Sequence, residues 1–325
     1  MAYYAGVDLG ATNVRAAVAD DQGDVVSVHR MNTPQGPTGI AVTEAVLECL
    51  REASADADVD PTRIRAAGIG SIGPLDLAAG AIDNPANLPD TVDRIPLTGP
   101  VGELIDSDRV YLHNDTVAGV IGERFNSDRN PDDMVYLTIS SGIGAGVCVD
   151  GEVLAGWDGN AGEVGHMVVD PHGRRTCGCG REGHWEAYCS GNNIPKYAKL
   201  LAEDDPGLDT ELPLDDPDFD AVDVFSHAGE DEFADHVVEQ LVHWNTLGVT
   251  NIVQAYAPLV IYIGGAVALN NEELVVDPVR ERLQQQVFNN VPDVQLTTLG
   301  DDVVLEGAIA SALTEGTGDR SRLAR

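Results

Sequence analysis

Apolar runs at 3–7 and 14–19 flank a short turn of small and polar residues at 10–13, and a third run follows at 25–29. The arrangement predicts an antiparallel hairpin extended into a meander. In the stretch 40–52, Ile40, Val42, Val46, Leu47 and Leu50 recur with helical spacing and supply a mostly one-sided apolar face. The run 66–72 reads as a buried strand ending in Gly73-Pro74, so this first portion makes half of an α/β domain. Residues 85–100 are rich in Pro, Gly, Asn and Asp and read as a long surface loop, of a length that is often functional in a compact enzyme. A strand at 110–112 is followed by a helix opened at Asp115 and running through Val117, Val120, Ile121 and Arg124, expected to cross into a second lobe.

The runs 134–139 and 145–149 bracket Ser140-Ser141-Gly142-Ile143-Gly144, a second hairpin that echoes the first and points to two related lobes. The stretch 203–235 is dense in Asp, Glu, Pro and Gly and reads as a solvated loop or insertion. A long helix over 236–257, a buried strand over 259–263 ending in Gly264-Gly265, and a helix over 303–314 complete the pattern. The expected division is an N-terminal lobe over 1–116, completed by 303–325, and a C-terminal lobe over 117–302.

The length of 325 residues suits roughly two domains that each bury a core. No apolar run approaches the ~18 residues of a membrane span, and the first residues lack the basic start and apolar core of a signal peptide, so a cytoplasmic protein without a membrane partner is expected. The formal net charge is -35, with acids spread along the chain and Lys196 and Lys199 as the only lysines. At ~1 M salt the Debye length is near 3 Å and such carboxylates repel one another little, which points to a salt-accumulating halophile. No basic stripe is present to displace counterions, so nucleic acid is not an expected partner. The 5 cysteines have no disulfide-framework spacing and fit a reducing compartment.

Phosphate binding without a helix-mounted lysine needs bare backbone N–H groups beside small side chains. Gly10, Ala11, Thr12 and Asn13 offer these in one turn, and Ser140, Ser141, Gly142 and Gly144 in the other. Hairpin turns also use such residues for conformation alone, and no G-x-x-x-x-G-K-[ST] signature is present. Asp8 reads either as a turn-capping residue or as a carboxylate that holds magnesium. Asp115 reads either as a helix cap or as a general base toward a substrate hydroxyl. His166, Cys177, Cys179 and His184 supply four ligands within one glycine-rich segment, as a tetrahedral structural zinc site requires, with His172 as a competitor. Glu163 and Glu186 flank that segment.

Together these residues resemble the ROK family of sugar kinases and sugar-responsive repressors, over nearly the whole chain from Asp8 to about Ala310. Asp8-Leu9-Gly10-Ala11-Thr12 resembles the first phosphate motif, with Ala11 where glycine is usual; Asn114-Asp115 through Gly122-Glu123 resembles the catalytic segment. The run from Ser141-Gly142-Ile143-Gly144 through Gly146 resembles the second phosphate loop, and Gly264-Gly265 the adenosine-side glycines. Glu163-Val164-Gly165-His166 resembles the signature segment, and Cys177 and Cys179 the zinc motif, with His184 where the family has a third cysteine.

The resemblance implies a two-lobed α/β protein of the actin-like, ribonuclease H-like ATPase fold, with a nucleotide and sugar cleft between lobes. It implies ATP, Mg2+ and structural Zn2+, and a homo-oligomer, dimer or tetramer. Asn87, Asn114, Asp115, Glu163, His166 and Glu186 are the implied sugar contacts, and Asp115 the implied base of a hexose kinase acting on the 6-OH of glucose. Another sugar (an N-acetylhexosamine, mannose or fructose) or polyphosphate as donor is left open, as is a sensor or repressor, although this chain starts its core at Tyr3 with no helix-turn-helix ahead of it.

Overall fold

In a computed structural model of the chain, residues 2–323 are described except 86, 87, 158, 205, 206 and 208. Asn87 therefore lies outside the described residues. The chain divides into two compact units: Met1–Tyr136 with Gly146–Gly162 and Asp301–Arg325, and Leu137–Ala145 with Glu163–Gly300.

The first unit opens with the expected meander, β1 (Tyr3–Leu9), β2 (Asn13–Ala19) and β3 (Val25–Asn32). Helix α1 (Gly39–Asp56) follows, then β4 (Ile64–Ser71), parallel to β1. β5 (Leu75–Asp76), β6 (Ala81–Asp83) and β7 (Arg94–Pro96) form a small antiparallel sheet, and of the stretch 85–100 read as one long loop, β7 and the first residues of α2 (Thr98–Ile105) are regular structure. Buried Ile82, Ile95 and Leu97 anchor these short pieces to the core that contains Val46 and Leu50. β8 (Val110–Asn114) completes a sheet of order β3-β2-β1-β4-β8, in which the adjacent pairs β1/β4 and β4/β8 are parallel.

Helix α3 (Asp115–Asn126) belongs to the first unit, whereas the sequence pattern had it leaving that lobe at 116. The reason is close packing on the helix over 303–314, which lies in the same unit. A Cβ on Gly307 would stand 1.8 Å from the Ala118 carbonyl oxygen, so only glycine permits the approach. The same helix abuts β4, where a Cβ on Gly68 would meet the Ala308 carbonyl at 2.0 Å. Val117, Ile121, Phe125, Ile309 and Leu313 form the second core cluster of this unit.

β9 (Met134–Ile139) and β10 (Ile143–Val149) form the predicted second hairpin, and β11 (Glu152–Val153) pairs with β10. The boundary between the units runs through β9 and β10. In the second unit come α4 (Glu186–Cys189), α5 (Ile194–Glu203), α6 (Ala221–His227) and α7 (Glu232–Tyr256). Helix α6 lies within the acidic stretch read as a loop: Asp220 and Asp223 form a capping box, and Val224 and Phe225 are buried. Acids concentrated at a helix start stabilise it through the dipole and the free N–H groups. β12 (Val260–Gly264), α8 (Ala266–Asn270), α9 (Asp277–Gln286) and β13 (Asp293–Leu296) follow, giving a sheet of order β11-β10-β9-β12-β13. The helix over 303–314, α10 (Val303–Thr314), returns to the first unit.

Candidate active site and metal knot

In the first unit, parallel pairing sets Asp8, Gly70 and His113 side by side, and Leu9, Ser71 and Asn114 one step further on. Asp8 and the Asn114-Asp115 pair thus leave the sheet from the same carboxyl edge, the edge at which open α/β sheets bind ligands. The turn after β1 has its carbonyls occupied. Thr33 donates from Oγ1 to Gly10 O at 2.7 Å and from its backbone to Thr12 O at 2.9 Å, and Gln35 donates to Ala11 O at 2.9 Å. The Ala11 and Thr12 N–H groups donate to no protein acceptor among the described residues. Such a turn is receptive to an anion. Ala11 is absent from the residues with positive φ, so its methyl group costs no backbone strain where the family uses glycine.

Asp8 is not free. Arg15, its cross-strand partner, donates to Asp8 Oδ2 from Nε at 2.9 Å and from Nη2 at 2.7 Å. Arg15 is itself held by Asp302 Oδ1 at 2.6 Å and the Asp301 carbonyl at 2.5 Å. Burial raises the Asp8 carboxyl above its usual range, with Arg15 opposing, and the two carboxylates hold the Arg15 guanidinium charged. This pairing leaves Asp8 Oδ1 as the oxygen through which a cation or its water would be met.

Asn114, not Asp115, caps α3: its side-chain oxygen accepts from the Thr116 backbone N–H at 3.0 Å and from Thr116 Oγ1 at 2.9 Å. Asp115 is the first helical residue, where the positive end of the helix dipole favours the ionised carboxylate. Its carboxylate Oδ1 is 2.7 Å from the Thr116 backbone N.

In the second unit, the turn after β9 has two N–H groups, those of Ser141 and Gly142, with no protein acceptor among the described residues. Gly264 ends β12, and Gly265 comes so close to β9 that a Cβ would stand 2.5 Å from the Ile139 carbonyl oxygen, which puts the glycine pair beside this turn.

His166, Cys177, Cys179 and His184 converge, with ligand atoms all within 4.8 Å of one another. The Cys177 Sγ to His166 Nδ1 separation is 3.7 Å and the Cys179 Sγ to His184 Nδ1 separation is 3.3 Å. Bonds of about 2.3 Å to sulfur and about 2.0 Å to nitrogen at tetrahedral angles place such pairs about 3.5 Å apart, so the donor set fits zinc in both chemistry and spacing. The other nitrogen of His166, Nε2, faces Glu163 Oε2 at 3.8 Å, beyond hydrogen-bonding distance. His172 is exposed and outside the cluster; its backbone N–H donates to Asp170.

Three residues that the sequence reading did not single out set this knot. Buried Asp170 accepts from Tyr188 Oη at 2.6 Å, from the His172 N–H at 2.8 Å and from the Arg174 N–H at 3.0 Å, pinning the start of the ligand loop. Tyr188 in turn accepts from the Arg175 N–H at 3.0 Å. Trp185 is fully buried and lies against Gly248 of α7, donating from Nε1 to Asn245 at 2.8 Å. It anchors His184 on one side and Glu186 on the other. The Glu186 carboxylate, expected as a sugar contact, accepts the Ile143 N–H at 3.0 Å. Glu163 is exposed, and desolvation raises its carboxyl pKa, with His166 opposing and Glu186 adding to the rise.

A sheet that runs as an antiparallel meander into parallel strands, two glycine turns with free N–H groups and acids at the carboxyl edge are features of the actin-like ATPase fold. Residues 4–315 match the sequence pattern of the ROK family, and the chain belongs to that family. A glucokinase from Pyrobaculum calidifontis is 36% identical over 317 residues, 96% of this chain and 95% of the relative. A ROK hexokinase from Thermus thermophilus matches with a TM-score of 0.79 and 32% identity, covering 96% of this chain and 98% of its own. A ROK glucokinase from Streptomyces griseus, solved with glucose and AMPPNP, matches with a TM-score of 0.72 and 29% identity, covering 95% and 99% of the two chains.

Proposed function

We propose that this chain is an ATP-dependent glucokinase. The observation that carries the reading is the 36% identity to a glucokinase along nearly the full length of both chains, and the motif residues stand at the carboxyl edge of the first unit and around the metal knot of the second.

In this reading Glu163, His166 and Glu186 hold ring hydroxyls, with Asn87 and Asn114 as further contacts. Asp115 accepts the proton of the sugar 6-OH as that oxygen forms a bond to the γ-phosphorus, the bond from γ-phosphorus to the bridging oxygen breaks, and ADP leaves with the bridging electrons. The free N–H groups of Ala11, Thr12, Ser141 and Gly142, with Gly10, Asn13 and Gly144 shaping the turns, stabilise phosphate charge, and Gly264-Gly265 borders the nucleoside. When bound, Mg2+ near Asp8 offsets the charge of the phosphates. Zinc held by His166, Cys177, Cys179 and His184 keeps the sugar-binding segment rigid. The net charge of -35 supports a halophilic cytoplasm as the working medium.

The test is ADP release from Mg-ATP with a panel of hexoses, N-acetylhexosamines and no sugar, in ~2 M KCl to screen the acidic surface. Strong stimulation by glucose is expected. Stimulation by an N-acetylhexosamine alone overturns the substrate, and no stimulation by any sugar in folded protein overturns the kinase.

A further inference from the structure

The turn over 140–143 is gripped from three directions by the segment that carries the metal ligands. The Gly191 N–H donates to the Ser140 carbonyl at 2.7 Å, closing the turn at its start. The Ile143 N–H donates to Glu186 Oε2 at 3.0 Å. The Ile143 carbonyl oxygen lies against Gly165, where a Cβ would stand 2.2 Å away, so the backbone of Ile143 is enclosed on its donor and acceptor sides alike. Two of these grips are tied closely to the knot. Gly165 adjoins the ligand His166, and Glu186 follows the ligand His184 by two residues, with buried Trp185 between them.

From this geometry we propose that Glu186 is a positioning residue that couples the metal knot to the second phosphate turn, so that metal occupancy sets nucleotide affinity as well as sugar affinity. The proposal rests on the reading of 141–144 as a phosphate turn. The physical argument is that Ser141 and Gly142 can present their N–H groups to a phosphate only while Ser140 and Ile143 are fixed, and a carboxylate accepting one N–H is a strong, directional clamp. Loss of the metal frees His184, and with it the backbone that carries the Glu186 carboxylate onto Ile143. The sugar contacts and the nucleotide turn then share one support, and neither is built without the other.

The experiment is a direct titration of the ATP analogue AMPPNP, with Mg2+ and without sugar, into the full chain loaded with zinc and again after stripping by a zinc-selective chelator and desalting. The expected result is a dissociation constant about tenfold higher in the stripped protein, the size of one lost charge-assisted hydrogen bond. Glu186→Ala in zinc-loaded protein is expected to show the same loss, with stripping adding less than about twofold, and Glu186→Gln, which keeps an acceptor oxygen, recovers most of it. Linkage supplies a second readout that does not depend on a folded metal-free state: AMPPNP should tighten zinc about tenfold against a chromogenic chelator, and should not do so in Glu186→Ala. Zinc affinity indifferent to AMPPNP in the wild type, or AMPPNP affinity unchanged in Glu186→Ala, overturns the coupling alone. A zinc-loaded wild type that binds no AMPPNP overturns the kinase reading and the coupling with it.

Discussion

Replacing Arg15 by alanine isolates the ion pair that holds Asp8. Arg15 and Asp8 expose 19% and 18% of their side chains, so the pair is largely withdrawn from water, and two hydrogen bonds converge on one oxygen of Asp8. Asp302 is 65% exposed and its share in the pairing is small. Breaking a buried ion pair from one side costs about 3–5 kcal/mol, and partial exposure puts the expected loss at the lower end, about 3 kcal/mol. The pH dependence has a definite sign. Burial already raises the folded-state pKa of Asp8, so folding takes up a proton, and the Asp8 contribution to stability weakens as pH rises through that window. Without Arg15 the folded pKa rises further, so the deficit of Arg15→Ala shrinks as the medium is made more acidic. Urea unfolding followed by circular dichroism at constant KCl measures it, and Arg15→Ala with Asp8→Asn in the same chain should be more stable than Arg15→Ala alone. A loss below about 1 kcal/mol, or one that does not shrink as pH is lowered, refutes the reasoning.

Three further outcomes are expected. Asp115→Asn should lower kcat at least a hundredfold, within the usual range for a general base, while glucose binding by calorimetry stays within about threefold; near-normal turnover removes Asp115 from that role. Cys179→Ala should leave the protein with little bound zinc by elemental analysis and a lower melting temperature, and full zinc content shows that the ligand set is misassigned. His113, whose Nε2 lies 2.8 Å from Ser311 Oγ, is pushed down to about 4 by burial. The unfolded chain therefore takes up its proton first, and His113 stability present above pH 6.5 is lost as pH falls toward 4, by up to about 3 kcal/mol; His113→Gln should show a flatter stability profile over that window, and an unchanged slope dismisses the contribution.

Much of the first unit was legible because its elements announce themselves locally. Apolar runs and turn residues marked β1 to β3, and helical spacing marked α1. The Asp8–Arg15 pair was also within reach: a turn joining Leu9 to Val14 puts residues 8 and 15 opposite one another, and counting the register reveals the partner. What stayed hidden depends on contacts between distant residues. The placement of α3 follows from Gly307 meeting Ala118, two small residues far apart in sequence, and no periodicity encodes that meeting. Helix α6 was masked by acid density, although an Asp three residues from an Asp ahead of Val224-Phe225 is a capping signal. The convergence of His166, Cys177, Cys179 and His184 was legible from residue type and crowding, whereas the contact of Glu186 with Ile143 requires the folded hairpin to be seen.

The return of α10 to the sheet of β1 and β4 has a consequence for synthesis. On the ribosome, β1 to β4 emerge early, but the face of the sheet carrying Gly6 and Gly68 stays open until residues 303–314 have been made. At about 5–20 residues per second that is a wait of many seconds. Residues 137–145 and 163–300, which make up the second compact unit, are all synthesised in the interval. Synthesis therefore leaves the first sheet half-built, with the face that packs on α10 uncovered, while the rest of the chain is made.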